Sequence, residues 1–322
     1  MKSSLALILA LPLLLYAHSS QAEEKCRFNT HTIIKAASAA IKDQYVLSDK
    51  AHSLSEKLAA ISDSTELEQH CHDTQAFSKI ITEKIRKLSG DQHFYLEHIG
   101  DKEKSNNWIA QWRAAAPKNN YGVKKIEIFP GNIAYISLSS FHTFENAKHT
   151  LGAAFTLVQH SDGLILDLRD NGGGDEDTAN AILKSFIDSS LSFPFVIESR
   201  ETKIEPKRIS SLPWPVYGTE RPLVILINNR SFSASESIAF SLQQLGRATI
   251  IGSASAGGAH MIDAPQFLPF GFEIGIPNSR PISTLAKGPI NWEGHGVKPD
   301  IEAADQDSLQ IALKTIKKQS ES

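Results

Sequence analysis

Two short runs, Gly163–Leu168 (GLILDL) and Leu223–Asn228 (LVILIN), constrain the fold more than any other part of this chain. Each is a nearly continuous apolar string of strand length, with too few polar residues to furnish a solvated face. Strands of that kind are buried on both sides, and a sheet buried on both sides has to be covered by helices above and below. Helical spacing of apolar residues occurs where such covers are needed, over Asn146–His160, Asp177–Ser189 and Ser235–Leu245. Further strands are predicted over Lys125–Phe129 and Asn132–Leu138, joined at Pro130-Gly131, and over Phe193–Ser199 and Thr249–Gly252. Strands alternating with helices in this order predict an α/β core with a mostly parallel sheet from about Tyr121 onward.

Upstream the pattern is purely helical. Apolar residues at three- and four-residue intervals predict helices over Thr32–Lys42, Asp49–Ile61 and Thr74–Leu88, packed as a small bundle. The chain begins with Lys2, an apolar stretch from Leu5 to Ala17, and Ser20-Gln21-Ala22, the layout of a cleaved secretory signal. The apolar stretch is shorter than the roughly 20 residues of a spanning helix, so a periplasmic or secreted protein without an integral membrane anchor is expected. Three parts follow: a signal peptide over 1–22, an N-terminal helical domain over 23–92 and an α/β catalytic core domain over 93–322. Two cysteines in an exported chain predict one disulfide, Cys26 to Cys71. His70 and His72 flank Cys71, but a metal site wants four converging ligands, so none is expected. With 33 Lys and Arg against 36 Asp and Glu, the net charge of −3 offers no basic surface for nucleic acid.

The chemistry is concentrated where the two apolar strands end. The first runs into Arg169-Asp170-Asn171-Gly172-Gly173-Gly174, whose glycines let backbone N–H groups approach a ligand closely, or simply make a tight turn. No Gly-Lys-Ser/Thr and no Gly-x-Gly-x-x-Gly follows, so a nucleotide is not expected; no cofactor is expected for the chain. The second runs into Asn229-Arg230-Ser231-Phe232-Ser233-Ala234-Ser235-Glu236 and then directly into a helix. A serine at a strand-to-helix turn stands beside unpaired helix N–H groups that could stabilise an oxyanion. The same serines could equally cap the helix, with Glu236 closing a capping box.

Three segments in order, GLILDLRDNGGG, NNRSFSASESIAFSLQQLGRATIIGSASAGGAH and NWEGHGVKPDI, resemble the C-terminal processing peptidase family. The similarity is greatest to the branch holding tricorn protease and the bacterial relatives of interphotoreceptor retinoid-binding protein. The resemblance implies a crotonase/ClpP-like spiral of βαβ units carrying an N-terminal helical bundle, and a serine hydrolase with Ser233 as nucleophile. It also implies an oxyanion hole from Gly172, Gly173 and the N–H of Ala234. The lysine base of the tail-specific proteases has no match in Ser255-Ala256-Gly257-Gly258-Ala259-His260. As in tricorn protease, the base then matches an upstream histidine, His93, and the orienting acid a downstream glutamate, Glu293, acting directly or through another group. Gln92 stands where tricorn protease has a serine, and His260 and His295 are reserve candidates for the base. A histidine base implies activity falling with pH near about 6.5.

Between His93 and Tyr121 there is no room for the PDZ domain with which tail-specific proteases capture a C-terminus. The expected substrates are peptides or small acyl compounds. The alternative is a carrier of an apolar ligand on the same scaffold, with Phe232, Phe267, Phe270, Phe272 and Trp292 either lining a pocket or packing the core.

Overall fold

The computed structural model describes residues 26–100, 112, 114–188, 190–206, 211–285, 288 and 290–321; the predicted signal segment and Ser189 lie outside them. Helices α1 (Thr30–Gln44), α2 (Ser48–Ala59), α3 (Thr65–Glu68) and α4 (Thr74–Ser89) open the fold. Local chemistry sets their ends. Asn29 accepts the N–H of Thr32 at the start of α1, and Asp73 accepts those of Gln75 and Ala76 at the start of α4. Gly90 stops α4 in the left-handed conformation, at φ 77°. Cys26 and Cys71 form the disulfide that ties the segment before α1 to the turn before α4.

The helices do not pack on one another alone. Ile33, Ile34, Ile41, Phe77, Ile81 and Ile85 share a core with Leu96 of β1 (Tyr95–His98) and Phe272 and Ile274 of β10 (Phe272–Gly275). Strand β10 pairs antiparallel with β1 on one side and with β9 (Gln266–Leu268) on the other. Residues nearly two hundred positions downstream thus close the helical region, which a bundle reading of the first segment alone does not anticipate.

The main sheet has six strands in the order β12-β8-β7-β4-β3-β2. These are β2 (Val123–Phe129), β3 (Ile133–Leu138), β4 (Gly163–Asp167), β7 (Leu223–Ile227), β8 (Thr249–Gly252) and β12 (Ile301–Glu302). All neighbours run parallel except the β2–β3 hairpin. Every residue of the central strands β4 and β7 is buried, and their side chains divide by the period of two. Leu164, Leu166, Ile225 and Ile227 meet α5 (Phe144–Val158), α6 (Glu176–Lys184) and α7 (Ala234–Gln244). Ile165, Val224 and Leu226 instead meet Ala312 and Ile316 of the C-terminal helix α8 (Asp305–Ser320).

One predicted strand lies elsewhere. Phe195–Ser199 (β5) joins β6 (Lys203–Ile204) and β11 (Ser279–Ser283) in a separate antiparallel sheet. Its half-buried sequence, with Glu198 and Ser199, suits a strand with one wet face, not the interior of a parallel sheet. Among the described residues no helix is long and apolar enough to cross a membrane.

Candidate active site

The carboxyl ends of β4 and β7 lie side by side, and their turns are stitched together. The Phe232 N–H donates to Asn171 O at 3.0 Å, and the Phe141 N–H donates to Gly173 O at 2.9 Å. Ser231 Oγ donates to Leu168 O at 2.7 Å and accepts the Asn228 N–H at 3.0 Å. Ser235 Oγ donates to Asn171 O at 2.9 Å. Two of the three candidate serines are therefore committed to backbone partners in the interior.

Ser233 is different. It stands just before α7 with φ 58° and ψ −121°, a sign of φ that residues bearing a β-carbon rarely adopt. Such backbone strain costs about 1–3 kcal/mol and persists only where the surroundings impose it. Its N–H donates to Glu236 Oε2 at 2.7 Å, and its Oγ pairs with His93 Nε2 at 3.1 Å.

His93 reaches Ser233 because α4 ends at Gly90 and the chain turns back at once. Asp91 Oδ1 accepts the His93 N–H at 3.0 Å, fixing that turn. The His93 ring stacks on Phe232 with centroids 4.5 Å apart. Burial pushes its imidazole down to about 4, with the nearby Asp91 opposing that shift. The ring therefore stays neutral well below pH 6.5, where an ordinary histidine takes up its proton. His93 Nδ1 is buried without a hydrogen-bond partner, and the nearest carboxylate oxygen, Asp91 Oδ1, lies 3.8 Å away.

Glu293 does not make that contact. Its Oε2 accepts the N–H groups of Ala259 at 2.7 Å and His260 at 3.0 Å. His260 Nδ1 in turn pairs with Asp91 Oδ2 at 2.6 Å, and Tyr45 OH donates to the same oxygen at 3.4 Å. The downstream acid expected to orient the base thus stands behind it: Glu293 holds the His260 backbone, the His260 ring pairs with Asp91, and Asp91 Oδ1 lies 3.8 Å from His93 Nδ1. Burial, reinforced by the negative charge of Asp91, pushes the Glu293 carboxyl upward. Asp91, His260 and Glu293 are also the described group whose donor atoms, all within 4.8 Å, could converge on a cation. In this structure Asp91 and His260 are bonded to each other. His295 is directed elsewhere: its Nδ1 lies 2.9 Å from Gly296 O.

Ser233 and His93 share a cavity of about 440 Å³ with Gly172, Gly174 and Ala234. Phe195, Phe232, Met261, Ile262, Pro281 and Trp292 supply its apolar walls. The Ala234 N–H is the first of α7 and has no acceptor within the helix. The Gly173 N–H, expected to share the oxyanion hole, instead donates to Asn171 Oδ1 at 2.8 Å. Gly173 matters by its lack of a side chain, since a β-carbon there would stand 2.9 Å from Ser233 Cβ and 3.0 Å from Ala234 N. Of the other aromatics, Phe272 is buried in the helical region's core, whereas Phe267 and Phe270 are exposed.

Residues 132–303 match the sequence pattern of peptidase family S41, and residues 22–129 match the N-terminal domain of peptidase S41 in eukaryotic IRBP. The carboxy-terminal-processing protease of Bartonella bacilliformis is 29% identical over 177 residues, which span 53% of this chain and 38% of that protein. A lipoprotein structure from Streptococcus agalactiae superposes with a TM-score of 0.60 at 15% identity, over 91% of this chain and 97% of that one. The tricorn protease structure superposes with a TM-score of 0.54 at 15% identity, over 90% of this chain and 37% of that one. The two structures share the fold. The chain belongs to peptidase family S41, a family of serine peptidases.

Proposed function

We propose that this chain is an exported serine peptidase in which Ser233 Oγ attacks the carbonyl carbon of a bound peptide and His93 Nε2 takes the hydroxyl proton. The observation that carries this reading is the 3.1 Å pairing of the two groups on the wall of one cavity. The N–H groups of Ala234 and Gly172 receive the oxyanion of the tetrahedral intermediate. Collapse returns the proton from His93 to the leaving amine and leaves an acyl group on Ser233, which water then removes by the same route. Asp91 steadies the imidazolium, and Glu293 acts behind it by holding the His260 backbone.

Peptides are the substrate class that fits a peptidase family, and the Bartonella relative is named as a carboxy-terminal-processing protease. Export is supported by the leader-like first residues and by the disulfide. The test is hydrolysis of a peptide library by the purified protein. Wild type cleaves, and Ser233→Ala lowers turnover by about 10,000-fold or more, as loss of a nucleophile does. A wild-type protein that cleaves nothing yet holds an apolar probe in the cavity would instead be a carrier on this scaffold.

A further inference from the structure

A helix-capping glutamate ordinarily lies at the surface and accepts one N–H. Glu236 is fully buried, and its carboxylate accepts four hydrogen bonds. Oε2 takes the Ser233 N–H at 2.7 Å and the Gly258 N–H at 2.9 Å. Oε1 takes the Gly257 N–H at 2.7 Å and the Ser255 hydroxyl at 2.5 Å. Ser255 Oγ also accepts the Val297 N–H at 2.6 Å. An ionisable group in the interior is costly to desolvate, and apolar packing at such a position is often at least as stable. General stability therefore gives little reason for a carboxylate here.

What it joins does give a reason. Gly258 lies against the base: a β-carbon there would stand 2.1 Å from Phe232 Cε2 and 2.7 Å from His93 Cε1. One oxygen, Glu236 Oε2, thus holds both the backbone of the nucleophile and the backbone on which the His93 ring rests. The next two N–H groups of the same loop, Ala259 and His260, are held by Glu293. Four consecutive N–H groups are divided between two carboxylates, one on the nucleophile side and one behind the base.

We infer that Glu236 is a positioning residue: it clamps the strained Ser233 turn and the Gly257–Gly258 backbone in one frame and so sets the distance from nucleophile to base. The inference rests on the serine-peptidase reading above. Glu236→Gln keeps the size of the side chain but has only one acceptor oxygen, and its NH2 must face donors, so one side of the clamp opens. A misplacement of about 1 Å at reacting atoms costs roughly 100-fold in rate.

The experiment measures the rate constant of fluorophosphonate labelling, and kcat and KM on a cleaved peptide, each per labellable site, in wild type and in Glu236→Gln. Folding is checked by near-UV circular dichroism. The expected result is a folded variant whose labelling and kcat fall by about 10- to 100-fold while KM stays near wild type. A variant with fewer labellable sites or a lower Tm, but with wild-type rate constants per site, would show a merely structural role and overturn the inference while leaving the peptidase reading intact. Failure of wild type to label would overturn both. Should Glu236→Gln not fold, Ser255→Ala removes one donor and leaves the carboxylate in place. It should slow labelling by about 2- to 10-fold, the worth of one hydrogen bond, and a wild-type rate in that variant would overturn the inference.

Discussion

Ser231, Ser233 and Ser235 lie within five residues of one another, yet their hydroxyls have different partners. The outer two donate to carbonyls at the end of β4, whereas Ser233 Oγ meets an imidazole from a segment 140 residues upstream. Under the proposed mechanism, the state of that imidazole sets the pH dependence. Burial lowers the His93 pKa to about 4, so the ring is neutral and able to accept a proton at every pH above that value. kcat/KM should therefore be flat from neutrality down to about pH 5 and fall as His93 becomes protonated around pH 4, a profile read from initial rates across buffers. An inflection between pH 6 and 7 would contradict the buried base. The strand-to-helix turn made Ser231, Ser233 and Ser235 legible as candidates, but it was the family resemblance that singled out Ser233 and matched the distant His93 to it. Asp91 and Glu236 were not legible in these roles. Each is ordinary in its local context, one after a helix-ending glycine and the other in a first helical turn. Their partners at His260, Gly257 and Gly258 are brought to them only by the packing of distant segments.

Among the elements, β4 and β7 could be read from their apolar runs, since a strand buried on both faces writes its burial into every residue. Helix α8 carries Leu309, Ala312, Leu313 and Ile316 at helical spacing, and these residues cover the second face of the sheet. The placement of β5 depended on its partner β11, more than eighty residues away, which local spacing does not encode. The disulfide acts at this scale as well. Cys26–Cys71 closes a loop of 45 residues across α1 to α3 and leads directly into α4, which carries Asp91 and His93 to the site. Its removal by Cys26→Ala with Cys71→Ala should destabilise the protein by roughly 2–4 kcal/mol in denaturant unfolding. Thiol titration of unreduced, denatured wild type should find no free thiol, and recovery of two would contradict the bridge.

At the scale of the whole molecule, the segment that follows α4 brings His93 to a cavity otherwise lined by residues from Gly172 onward. The β1–β10 pairing joins the helical region to the α/β region, and so do the hydrogen bonds from Arg200 to the carbonyls of Lys42, Asp43 and Tyr45 at the end of α1. His93 arrives on the upstream side of that junction and Ser233 on the downstream side, so the pair exists only in the assembled chain. The measurement that tests this arrangement most directly is mass spectrometry of the wild-type protein after reaction with a fluorophosphonate. A single adduct mapped to Ser233, absent from Ser233→Ala and formed at least ten times more slowly in His93→Ala, is the predicted result; no adduct, or an adduct on Ser231, Ser235 or any other residue, would contradict it.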